Sequence, residues 1–123
     1  MSTDYERLGG PTGLHRIMSA FVHRVAADFI IGFLFEGKDL DRVVRHEIEH
    51  AAGHLGGPSA YTGRPLPKVH KPLGIHRGHF RRRIAVLRAV LREQGVDEDI
   101  IERWVAANQS LMASVTIDTD CGP

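Results

Sequence analysis

The sequence predicts a single all-α domain, and three observations carry that prediction. Apolar residues recur at intervals of three and four along four main stretches, the period of a helix with one buried face. No stretch shows the strict alternation of a half-buried strand, and no period of 20 to 50 residues repeats. The chain has 123 residues, enough for one core and too few for a second.

Each element follows from local signals. Thr3 and Glu6 have the spacing of a capping box, which predicts a short first helix ending at Gly9-Gly10. Thr12 is the expected cap of a second helix running to about Asp28, with Leu14, Ile17, Met18, Phe21, Val22 and Val25 along one face. After the apolar stretch Phe29 to Phe35, the turn Gly37-Lys38-Asp39 supplies a capping aspartate for a third helix through Leu40, Val43, Val44 and Glu47, ended by Gly56-Gly57-Pro58. Residues 57 to 75 contain Pro58, Pro65, Pro67 and Pro72, so they are expected to form a structured loop or a single turn. From His79, the stripe Phe80, Ile84, Leu87 and Leu91 marks a fourth helix that stops at Gly95. A fifth starts at Asp97, Glu98 and Asp99, whose negative charge suits the positive end of the helix dipole. Its buried stripe is Ile100, Ile101, Trp104, Val105, Leu111 and Met112. Residues 1–115 are read as the domain and 116–123 as a polar tail. Met18, Phe21, Ile84, Leu87, Trp104 and Val105 are read as core.

Composition narrows the function. Lys and Arg number 16 against 15 for Asp and Glu, which argues against nucleic acid as the partner. The longest apolar run, Phe29 to Phe35, contains Gly32 and is far below the roughly 20 residues of a membrane span. The charged start, Met1 to Arg7, shows no secretory signal, and a cytoplasmic location is expected. Cys121 is the single cysteine, so an internal disulfide, a cysteine zinc cluster and thioether haem attachment are excluded. Histidine is the unusual count, at eight.

Three of those histidines, His46, His50 and His54, recur every four residues and share a face of the third helix. His46-Glu47-Ile48-Glu49-His50 also satisfies H-E-x-x-H, in which two histidines bind zinc and the glutamate activates a water. The extended zinc-peptidase pattern asks for a third histidine where Gly56 stands. A small zinc hydrolase would also leave His70, in its proline-flanked loop, without a role.

The stretch from Tyr61-Thr62-Gly63-Arg64 through Lys68-Val69-His70-Lys71-Pro72 to Gly74-Ile75, followed by His79-Phe80, resembles the proximal region of truncated haemoglobins, group I in particular. Tyr5-Glu6-Arg7-Leu8-Gly9-Gly10 and Leu55-Gly56-Gly57-Pro58 resemble the family's two glycine motifs, in the same order. The resemblance spans nearly the whole chain and implies a two-over-two helical sandwich around non-covalent haem b. It makes His70 the proximal iron ligand, a role that suits a neutral imidazole whose tautomer a flanking carbonyl can fix. It puts Phe35 where the family stacks a phenylalanine on the haem, with Leu40, Arg42, Val43, His46, Leu66, Val69, Ile75, Phe80 and Ile84 as further haem contacts. Arg42, Lys38, Lys71 and Arg77 are candidates for the propionates, since a cation at the rim can pair with a carboxylate.

The resemblance places Val22, Val43, His46, Glu47, His50 and Arg83 toward the distal pocket, and here the sequence departs from the family. Many members carry tyrosine at the position of Val22 and glutamine near Val43 or Glu47. A valine cannot donate, so a ligand with partial negative charge must find its donor in His46, His50, an arginine or water. His46 stands where some cyanobacterial members supply a second axial histidine, so the metal ligands implied are His70 and His46. A carboxylate over a haem face needs a partner, and Glu47 is expected to pair with Arg83, or with Arg81 or Arg82 if the register is shifted. Three functions are carried forward. The first is binding of diatomic ligands (O2, NO, CO), with NO dioxygenase-type or peroxidase-like turnover as an enzymatic extension that needs an external reductase. The second is electron transfer or redox sensing by a His46/His70 six-coordinate haem, and the third is the zinc hydrolase. No membrane partner is expected, and the chain is expected to be a monomer or weak homodimer.

Overall fold

In the computed structural model, which describes residues 2–57 and 77–110, every regular element among those residues is helical. Helix α1 is Asp4–Arg7. Both halves of the predicted capping box are present: the Thr3 hydroxyl accepts from the Glu6 N–H at 3.1 Å, and the Glu6 carboxylate accepts from the Thr3 N–H at 3.0 Å. Helix α2 spans Gly10–Ala26 and begins earlier than a Thr12 cap would allow. Its N-cap is Gly9, whose φ of 98° swings the chain directly from α1 into α2, and Pro11 occupies the first turn, where its missing N–H is not needed. Thr12 therefore lies inside the helix. The other end also differs from expectation, stopping at Ala26 before Asp28. The Asp28 carboxylate instead accepts from the N–H groups of Ile30 and Ile31 at 3.0 and 3.1 Å and so closes a turn.

Arg82 braces that turn with bonds of 2.5 to 3.2 Å to Asp28 and holds its carboxyl down at about 2. The apolar stretch beyond it forms a 3₁₀ turn, Gly32–Phe35, with its side chains divided. Ile31 is 2% exposed, whereas Phe29 is 93% exposed. Helix α3, Leu40–Leu55, starts as predicted on Asp39, whose Oδ1 accepts from the N–H groups of Asp41 and Arg42, and ends at Gly56 with φ 82°. Helix α4 is Arg77–Glu93, which begins before His79, and Gly95 (φ 77°) turns the chain into α5, Glu98–Gln109. The predicted loop between Pro58 and Ile75, the stripe residues Leu111 and Met112, and the polar tail lie outside the described residues.

Helix α2 packs against α3 and α4, and α4 against α5. The apolar faces meet in one core: Leu14, Ile17, Phe21 and Val22 from α2, Val44 from the predicted stripe of α3 together with Ala51 and Leu55, Ile84, Leu87 and Leu91 from α4, and Ile100, Ile101 and Trp104 from α5. Arg7 ties α1 to α5 through Asp97 and Asp99, and Arg103 returns the tie to Asp4 at 2.9 Å. Among the described residues, no helix is long and apolar enough to cross a membrane.

The first crossing depends on a missing side chain. A Cβ on Gly13 would lie 1.8 Å from the carbonyl oxygen of Leu8, which belongs to backbone and cannot swing aside. Gly13→Ala is expected to lower unfolding free energy by about 1–3 kcal/mol through forced separation of α1 and α2. A denaturant midpoint unchanged from the parent would contradict that close approach.

Candidate functional site

Three apolar side chains near the start of α3 pack against the core without being closed over. Phe35 leaves the 3₁₀ turn, Leu40 opens α3 and Val43 follows one turn later, and all three are only half-buried. Together they form an apolar ledge. Val22 is fully buried on α2, while Phe80 and Ile84 lie at 7% and 8% exposure on α4. His46 and His50 are half-buried on α3, and Arg42 and Lys38 are exposed at its N-terminal end. Arg77 lies in the first turn of α4. Leu66, Val69, His70, Lys71 and Ile75 lie outside the described residues. A partly open apolar ledge beside imidazoles, with cations at its edge, suits a flat apolar macrocycle that carries carboxylates on one rim.

Deeper in, the predicted ion pair is present. Arg83 reaches from α4 to Glu47 on α3 with two parallel bonds, Nη1 to Oε2 and Nη2 to Oε1, each 2.8 Å. This is the fork geometry that makes arginine–carboxylate pairs strong. Nη2 also donates to Asn108 Oδ1 at 3.2 Å, and Asn108, 3% exposed, donates from Nδ2 to the Trp104 carbonyl at 3.0 Å. The guanidinium carbon sits 4.9 Å from the centre of the Phe21 ring, whose negative face attracts a cation. Burial works against the charge on Arg83, but the facing Glu47 carboxylate outweighs it and holds the guanidinium protonated more firmly than usual. Of the alternatives in register, Arg82 is bonded to Asp28 instead.

Sequence reasoning missed two members of this network. Phe21 is core, as predicted, and is also the surface on which Arg83 rests. Asn108 was readable only as a lone amide in the apolar stripe of α5, four residues after Trp104. The histidine stripe is present, with the rings of His50 and His54 meeting edge-on at 4.6 Å. Among the described residues, no three His, Cys, Asp or Glu side chains are arranged to hold a metal ion. Both oxygens of Glu47 face Arg83, so the H-E-x-x-H reading has its general base engaged in an ion pair.

An all-helical sandwich with an apolar ledge beside imidazoles defines a haem-binding globin. The chain belongs to the bacterial-like globin family, whose model matches residues 3–116, in its group I truncated branch. It is 33% identical to group 1 truncated hemoglobin GlbN of Mycolicibacterium paratuberculosis, with 84% of this chain and 76% of that protein covered. With GlbN of a Synechocystis species it is 35% identical, covering 86% of this chain and 89% of the relative. The Fe(III) form of truncated hemoglobin from Tetrahymena pyriformis matches at a TM-score of 0.87 and 26% identity, over 95% of this chain and 100% of that one. The fold is thus the truncated two-over-two globin, and the cofactor that belongs to it is haem b.

The pair makes a thermodynamic prediction. Arg83→Met leaves the Glu47 carboxylate half-buried with its main partner gone and is expected to cost about 2–3 kcal/mol. Removing both charges in Glu47→Gln/Arg83→Met should cost clearly less than the sum of the single changes. Additive losses in a double-mutant cycle, read from denaturant unfolding, would show that the pair contributes nothing as a pair.

Proposed function

We propose that this chain binds haem b with His70 as the proximal iron ligand and takes diatomic gases (O2, NO or CO) on the opposite face. Phe35, Leu40, Val43, Phe80 and Ile84, with Leu66, Val69 and Ile75 from the other side, are the apolar contacts of the ring in this reading. Arg42 serves a propionate. The observation that carries the proposal is the half-buried ledge of Phe35, Leu40 and Val43 one turn before His46, in a chain matched to the globin family over nearly its full length. Bound haem supplies an iron centre that accepts an imidazole on one side and a gas on the other.

The distal wall in this reading is Val22, Val43, His46, Glu47, His50 and Arg83. Two valines there can exclude water but cannot donate a hydrogen bond. If the site turns over, the reaction proposed is oxidation of nitric oxide: NO and O2 combine with one electron to give nitrate, and an external reductase supplies that electron. A second reading is favoured by His46 itself, which lies half-buried on α3 three residues beyond Val43. As a second axial ligand it would give a six-coordinate haem suited to electron transfer or redox sensing.

An absorption spectrum of the freshly purified ferrous protein separates the two. A high-spin spectrum is expected for an open site; a low-spin spectrum that becomes high-spin in His46→Ala assigns His46 to the iron. His70→Ala is expected to abolish the normal haem spectrum, and its retention in that variant would defeat the proximal assignment.

A further inference from the structure

We propose that Arg83 is the hydrogen-bond donor that stabilises ligands gaining negative charge at the haem iron, with Glu47 holding its guanidinium in place. The inference rests on the haem reading above and adds a ligand preference to it: dioxygen and small anions over carbon monoxide.

Three observations lead there. First, Arg83 turns inward. It immediately precedes Ile84 in the buried stripe of α4, its side chain is 21% exposed, and its guanidinium lies over Phe21, which is 0% exposed. A surface arginine would keep its head in water. This one brings a positive charge into the sandwich against the Phe21 ring.

Second, few side chains of the distal wall can donate. Val22 and Val43 have no donor and an ionised Glu47 carboxylate only accepts, which leaves Arg83 beside the imidazoles of His46 and His50, and of these only Arg83 carries a permanent charge. Arginine has five N–H groups, and the contacts with Glu47 and Asn108 engage three of them. The guanidinium therefore keeps donor capacity after Glu47 and Asn108 have fixed its plane.

Third, the cation is held rather than loose. Glu47 grips it from α3, Asn108 from α5 and the Phe21 ring from α2, so three helices fix one planar group. A donor held in advance loses little freedom when a ligand arrives. A charged donor also discriminates in a way that a neutral phenol or amide does less strongly. Carbon monoxide acquires little charge on binding and gains little from a nearby cation, whereas dioxygen and anions such as fluoride gain much more.

The experiment is the carbon monoxide stretching frequency of the haem-loaded protein, which reports the local electric field, read beside the dioxygen dissociation rate. Arg83→Met should raise the stretching frequency, speed dioxygen release by roughly tenfold or more, and weaken fluoride binding to the ferric protein, with carbon monoxide affinity nearly unchanged. Glu47→Gln, which retains the cation but loosens the grip that fixes its plane, should speed dioxygen release toward the Arg83→Met value. The double variant Glu47→Gln/Arg83→Met guards against misfolding from an unpaired charge and should resemble Arg83→Met. An unchanged frequency and dioxygen release within twofold of the parent, in haem-loaded Arg83→Met and the double variant, would overturn the proposal and move the donor role to His46, His50 or water. Failure of the parent protein itself to take up haem is a different result: it defeats the haem reading, and this inference with it.

Discussion

A carboxylate and a guanidinium held inside a helical sandwich constrain everything around them. Moving either charge out of water costs several kcal/mol, and only close, well-aligned pairing with further hydrogen bonds offsets that cost. Glu47 and Arg83 meet this condition with two bonds of 2.8 Å, and Asn108 and the Phe21 ring complete the surroundings. The consequence is geometric. Helix α3 is fixed against α4 and α5 at the level of Glu47, next to His46 and one turn beyond Val43. Whatever occupies the ledge meets a wall whose position is set by electrostatics as well as by packing.

The rest of the fold serves that arrangement. Gly13 lets α1 press against α2 to a distance no side chain would permit, and this fixes the direction of the helix carrying Phe21 and Val22. Asp28 stops α2 and, braced by Arg82, starts the turn that delivers Phe35 to the ledge. Asp39 then caps α3 and sets the rotation of Val43, His46 and Glu47. A chain of local hydrogen bonds thus runs from the end of one helix to the site on the next.

Much of this was legible in the sequence, for identifiable reasons. The helices could be read because their apolar stripes have a single period, and α1, α3 and α5 because Thr3, Asp39 and the acidic run Asp97–Asp99 mark their starts. The beginning of α2 was misplaced because Thr12 looks like a cap, while the real signal is a glycine that can adopt positive φ. The end of α2 was misplaced because Asp28 uses its side chain to form a turn, and that depends on Arg82, 54 residues away. The exposure of Phe29 could not be read from an apolar run that also contains the buried Ile31. At the site, the Glu47–Arg83 pair followed from a simple demand, that a carboxylate near an apolar slot needs a cation. Asn108 was missed because its role appears only when α5 is laid against α4.

The apolar ledge and the buried pair acquire a common purpose only if a porphyrin lies between them and the proline-flanked imidazole. The most direct measurement is the haem content of the purified protein, determined as the pyridine haemochrome against the polypeptide concentration. The account predicts one haem b per chain. Folded protein free of porphyrin, with stoichiometric zinc in its place, would contradict it.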